Sequence, residues 1–104
     1  MIYQEKNPIT GQVVRNDLTT LPYLSITRDS FINAKELLST EEFGNVMMDL
    51  INDIFECGDK PLRKTKAENV IYNQMSRDIG RLSSGYFKKC RNLKNNKNKI
   101  EDNG

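Results

Sequence analysis

"STEEFGNVMMDLINDIFECG", residues 39–58, decides how this chain is read. Ser39 followed three residues later by Glu42 is a capping box. Each side chain satisfies a backbone donor that a helix start leaves free. Apolar residues then recur at Phe43, Val46, Met47, Leu50, Ile51, Ile54 and Phe55. That spacing of three and four lays one greasy stripe along an amphipathic helix. Gly58 is expected as the left-handed residue that ends it. Glu42, Asn45, Asp49, Asp53 and Glu56 fall on the opposite face, which is expected to be solvated. Met48 lies off the stripe and is expected at the surface.

Working toward the C-terminus, "DKPLRK" (59–64) reads as a polar connection, and "TKAE" (65–68) as a second capping box. The following helix carries an apolar line at Tyr72, Met75, Ile79, Leu82, Tyr86, Cys90 and Leu93. Gly80 and Gly85 each weaken it by about 1 kcal/mol relative to alanine, which points to a bend near "LSSGY". The apolar pattern stops after Leu93, so residues 95–104 are expected as a disordered basic and polar tail. Toward the N-terminus, Asp29 or Ser30 caps a short helix over 30–38, "SFINAKELL". "LPYLSI" (21–26), broken by Pro22, is expected to lie extended across the helices. "NPITG" (7–11) has turn chemistry, but the flanking "MIY" and "QVV" are short and barely alternate. Residues 1–28 are therefore read as an extended or small-hairpin arm. The expected class is all-α: two main antiparallel amphipathic helices, about 39–57 and 66–94, with the short helix and the arm bracing them. The domain proper is 29–94.

A chain of 104 residues with 37% apolar and 29% charged residues makes one small globular domain. No apolar run approaches the ~20 residues of a membrane span. The start lacks the basic-then-apolar layout of a secretory signal, so a cytoplasmic location is expected. Histidine is absent, which removes the commonest general base and metal ligand. Cys57 and Cys90 form no C-x-x-C pair, and no Gly-rich phosphate loop exists. Neither an enzyme, a cofactor nor a metal site is expected. Asp49, Asp53 and Glu56 are read as a solvated polar face in preference to a cation site.

Net charge is +2, but it is divided. Residues 29–59 hold eight acids against Lys35 alone; residues 60–99 hold twelve bases against Glu68 and Asp78. Lys88, Lys89, Arg91, Lys94, Lys97 and Lys99 are the candidate nucleic-acid contacts, with Arg77, Arg81, Tyr86 and Phe87 just upstream. Lysine outnumbers arginine among them, which suits backbone contact better than base reading. Four to six phosphate contacts on a duplex would give a log K–log salt slope of roughly −4 to −5. The acidic face supports a different reading. Glu42, Asp49, Asp53 and Glu56 would mimic nucleic-acid phosphates and occupy the basic groove of a host protein. A third reading is a structural homodimer along the heptad-like line from Tyr72 to Leu93.

The stretch Leu38–Leu93 resembles a family of small uncharacterised proteins encoded by phages and prophages. The matching elements are Leu38, Ser39, Glu41, Glu42 and Gly44; then Gly58 and Pro61; then Gln74 and Asp78. The resemblance covers about half of the chain and carries no catalytic residues. It implies a non-enzymatic phage or prophage accessory protein acting in a replication or regulatory assembly in the host cytoplasm. Its partner would be nucleic acid, DNA or RNA, held through the basic C-terminal segment, or else a host defence or nucleic-acid-processing enzyme that it inhibits.

Overall fold

The computed structural model describes residues 1–58 and 61–103, with side chains in the final helix described as far as Leu93. Two strands come first, β1 (Ile2–Lys6) and β2 (Val13–Asp17), then a 3-10 turn, Leu18–Thr20. Three helices follow: α1 (Arg28–Leu37), α2 (Thr40–Phe55) and α3 (Lys66–Asn103). The all-α expectation is thus corrected. The N-terminal residues form a two-stranded antiparallel sheet with Tyr3 opposite Asn16 and Glu5 opposite Val14. The "NPITG" turn closes it. Asn7 Oδ1 accepts the N–H groups of Ile9 and Thr10 at 2.9 and 3.3 Å, and Gly11 takes φ +73°. The arm thus takes the small-hairpin form of its two expected ones, and its strands barely alternate in sequence because their inward face is partly polar. Glu5 and Asn16 point inward and bond each other at 3.1 Å.

The second correction concerns helix direction. The Thr65 hydroxyl donates to Glu42, Asn45 donates to Glu68, and the Tyr72 hydroxyl donates to Asp53. Partner numbers rise together, so α2 and α3 run parallel rather than antiparallel. Described residues 61–64 of the connection therefore lie back along α2. Asp49 ties them down midway: its carboxylate accepts the backbone N–H of Leu62 (2.7 Å) and of Arg63 (2.9 Å). Asp49 is 1% exposed, not part of a solvated face. The Arg63 guanidinium stands 3.4 Å from it and 3.6 Å from Asp53, and 3.5 Å above the Tyr72 ring. A buried carboxylate is tolerated here because backbone donors and a cation surround it. α1 opposes α3 in direction, with Ser30 bonded to Asp78 and Leu37 beside Val70.

Both capping boxes form, and they interlock. Ser39 and Glu42 cap α2 reciprocally, and Thr65 and Glu68 do the same for α3. Parallel helices bring two positive dipole ends together, and Glu42 and Glu68 lie between them. The bond from the Ser39 N–H and then the Thr65 hydroxyl hold the Glu42 carboxyl below its ordinary value. Burial pushes Glu68 up, but donors from Asn45, Lys64 and Thr65 outweigh it and the net shift is downward. At the far end of α2, Glu56 rather than Gly58 is left-handed (φ 56°). Gly58 is needed because a Cβ there would meet the Asn52 side chain.

The core joins Val46, Leu50 and Ile54 of α2 to Ile71, Met75 and Ile79 of α3, closed by Leu18, Leu21, Ala34 and Leu38. Each large side chain so buried contributes about 1.5–3 kcal/mol. Residues 21–26 form neither helix nor strand and bend at Pro22 and Tyr23, with Leu24 and Ile26 packed against the core. Met48 is exposed, as the stripe implied. α3 runs without interruption through Gly80 and Gly85. α3 continues as helix through Asn103, over most of the stretch 95–104 that was expected as a disordered tail; residue 104 and the side chains beyond Leu93 lie outside the described residues. Among the described residues no helix is long and apolar enough to cross a membrane.

Candidate nucleic-acid interface

The hairpin lies along α3, and the seam between them is polar. The Tyr3 ring rests on Gly80, where any Cβ would collide with it. Further along, the Ser84 hydroxyl donates to Glu5. Asn16, 2% exposed, donates to Glu5 and accepts from Arg91 Nη1 at 2.9 Å. This chain of bonds sets the hairpin's position and holds the Arg91 guanidinium beside it. Its acceptor is a neutral amide, so the charge of Arg91 is not cancelled.

Arg77, Arg81, Ser84, Lys88 and Arg91 follow steps of four, three, four and three along α3, and so share one face. Two hollows lie along that face where it meets the hairpin. One, about 510 Å³, is lined by Tyr3, Gln74, Arg77, Asp78 and Arg81. The other, about 460 Å³, is lined by Glu5 and the Lys6–Ile9 turn on one side and by Ser84, Gly85, Lys88 and Arg91 on the other. The basic residues of the two hollows are Lys6, Arg77, Arg81, Lys88 and Arg91; the acidic ones are Glu5 and Asp78. Among the described residues only Arg81 of those bases is paired with a carboxylate, that of Asp78 at 3.2 Å. Arg77 donates to the Asn73 carbonyl, another neutral acceptor.

The predicted contact residues divide. Lys88 and Arg91 belong to this face. Lys89 is exposed on another side of α3, in a hollow with Tyr23, Leu82, Tyr86 and Leu93. Lys94, Lys97 and Lys99 fall outside the described side chains. Tyr86 and Phe87 are half-buried and pack edge-to-face at 5.4 Å, part of the core's margin. Lys6 was missed because it is remote in sequence. Arg77 and Arg81 were noted only as upstream neighbours, although their heptad-like spacing with Lys88 and Arg91 was visible.

The alternative acidic site is placed differently from the expected ribbon. Glu42 serves the capping box and Thr65. Asp49 is buried under the return connection, and Asp53 holds Tyr72 at 2.5 Å and Arg63. Glu56 ends α2 and stands 3.5 Å from the Met1 amino group. Burial and then the Asp53 bond push the Tyr72 phenol up to about 12. Among the described residues no group of three potential ligands could hold a metal ion. Cys57 and Cys90 are both free and exposed, so Cys90 does not extend the buried line expected along α3.

Comparison with family models, with curated proteins and with solved structures finds no match to this chain.

Proposed function

We propose that this protein is a non-enzymatic binding module that holds a nucleic-acid backbone along the face where the hairpin meets α3. The observation that carries this reading is the unneutralised basic row Arg77, Lys88 and Arg91, extended by Arg81 and by Lys6 across the seam. Arg91 is fixed in place by Asn16. A cation positioned by a neutral partner keeps its charge for a phosphate and loses less side-chain freedom on binding. The contact shifts from the linear segment 88–99 to a surface built from two parts of the chain. The resemblance of Leu38–Leu93 to small phage and prophage proteins supports a place in a replication or regulatory assembly in the host cytoplasm. Inhibition of a host enzyme through the acidic face is less well supported, because Asp49 is buried and Glu42, Asp53 and Glu56 already have partners.

Fluorescence anisotropy with labelled DNA and RNA tests the proposal. Five phosphate contacts on a single strand give a log K–log salt slope of roughly −3.5, about 100-fold weaker binding from about 50 to 200 mM salt. Arg77→Glu with Lys88→Glu should abolish binding while leaving the circular dichroism spectrum unchanged. Binding that ignores both salt and these substitutions would refute the proposal.

A further inference from the structure

We infer that this face takes a single strand rather than a duplex, and that one nucleobase sits against Tyr3 beside Gln74 and Arg77. The inference rests on the nucleic-acid reading above and names its substrate class.

Shape is the first argument. A helix reads a duplex by entering the major groove, which is about 12 Å wide and just admits a helix of about 10–12 Å. The basic face of α3 is not bare between Arg77 and Arg91. β1 and the turn stand over its shoulder, with Tyr3 on Gly80, Glu5 on Ser84, and Lys6–Ile9 beside Lys88 and Arg91. A strand layer adds about 10 Å to the helix, too wide for that groove. What remains are two open hollows in succession along the seam, about 510 and 460 Å³. Each has the volume to seat one nucleotide-sized group while staying open to solvent along the strand's path. Along α3, Arg77 to Arg91 spans about 21 Å, room for about six stacked nucleotides at ~3.4 Å each.

Chemistry is the second argument. Proteins that grip single strands combine a cationic track with an aromatic platform for the bases. Tyr3 is half-buried and lines the first hollow, so part of its ring faces the track. The ring is set in advance, because the bare backbone at Gly80 supports it from behind. Gln74 lines the same hollow and presents an amide group able to bond a base edge, with the Arg77 guanidinium beside it for the adjoining phosphate. Glu5 lines the second hollow with its carboxylate held by Ser84 and Asn16, and Asp78 lines the first. Both carboxylates repel phosphate, so the backbone of the strand keeps to the outer cations Arg77, Arg81 and Lys88 and turns its bases toward Tyr3.

Affinities of the full chain for a 12-nucleotide single strand and for the duplex of equal length, at equal salt, test this directly. The single strand should bind at least about tenfold tighter. Tyr3→Leu should weaken single-strand binding by roughly 5- to 100-fold, the loss of one stacked base. Tyr3 also packs on the core, so Gln74→Glu on the exposed surface provides a second variant; it should weaken binding about tenfold without lowering Tm. Duplex binding equal to or tighter than single-strand binding would overturn the inference and leave the nucleic-acid reading standing. Loss of neither variant's affinity would overturn the base seat. Absence of binding to both forms would sink the inference together with the reading beneath it.

Discussion

Replacing Asp49 by alanine should be the most damaging single carboxylate substitution in this protein. The side chain is 1% exposed and accepts two backbone N–H groups, Leu62 at 2.7 Å and Arg63 at 2.9 Å. Hydrogen bonds to a charged acceptor contribute about 1.5–3 kcal/mol each. Arg63, 14% exposed, would also lose its nearest carboxylate. Removing one member of such a buried pair typically costs about 3–5 kcal/mol. The terms overlap, so about 3–5 kcal/mol is the expected total, out of about 5–15 kcal/mol for a typical domain. At about 4–8 °C per kcal/mol, Tm should fall by at least about 12 °C. Thermal and urea unfolding followed by circular dichroism measure this. Asp53→Ala provides the comparison. It is 38% exposed and should cost only about 1 kcal/mol. If Asp49→Ala changed stability by no more than the ~0.5 kcal/mol of a surface substitution, the parallel α2–α3 arrangement with its clamped return connection would be wrong.

Other consequences are equally open to measurement. Gly80→Ala should destabilise despite the helix propensity it gains, because its Cβ meets the Tyr3 ring; Gly85→Ala, with nothing within 4 Å, should stabilise by about 0.5–1 kcal/mol. Glu56→Gly should raise Tm, since a non-glycine residue in the left-handed region costs about 1–2 kcal/mol and the ion pair it loses is largely exposed. Glu42 and Glu68 have carboxyls lowered from 4.5 in the folded state, so folding releases protons in that window. Their contribution is complete above pH about 4.5 and lost as pH falls through the lower folded values. Urea midpoints should hold steady from neutral pH down to about 5 and decline below 4.5, and Thr65→Val should make that decline shallower. Tyr72, pushed up to about 12, should be absent from the normal phenol titration near 10 in an ultraviolet pH scan, and Tyr72→Phe should restore nothing there.

Local helix chemistry was readable from the residues, and the three-dimensional connections were not. Both capping boxes and the buried faces of α2 follow from residue type and spacing alone, because caps and amphipathic stripes are short-range effects. Direction was another matter. The polar face of α2 looks uniformly solvated in sequence, and only the return of residues 61–63 buries Asp49. One sign of that return was available. A connection of ten residues, Glu56 to Thr65, can span about 33 Å, more than the ~24 Å length of α2. The hairpin was obscured for a related reason: Glu5 and Asn16 satisfy each other inside, so the inward positions do not read as apolar. The basic row on α3 was half visible. Its heptad-like spacing is in the sequence, but Lys6 joins it only through the hairpin.

Chemical-shift mapping of the ¹⁵N-labelled protein during titration with a short single-stranded oligonucleotide tests the central claim most directly. The account predicts that the largest amide shifts fall at Tyr3–Lys6 and at residues 74–91 of α3, with α2 little affected. Shifts concentrated instead on residues 42–56, or none at all at saturating oligonucleotide, would contradict it.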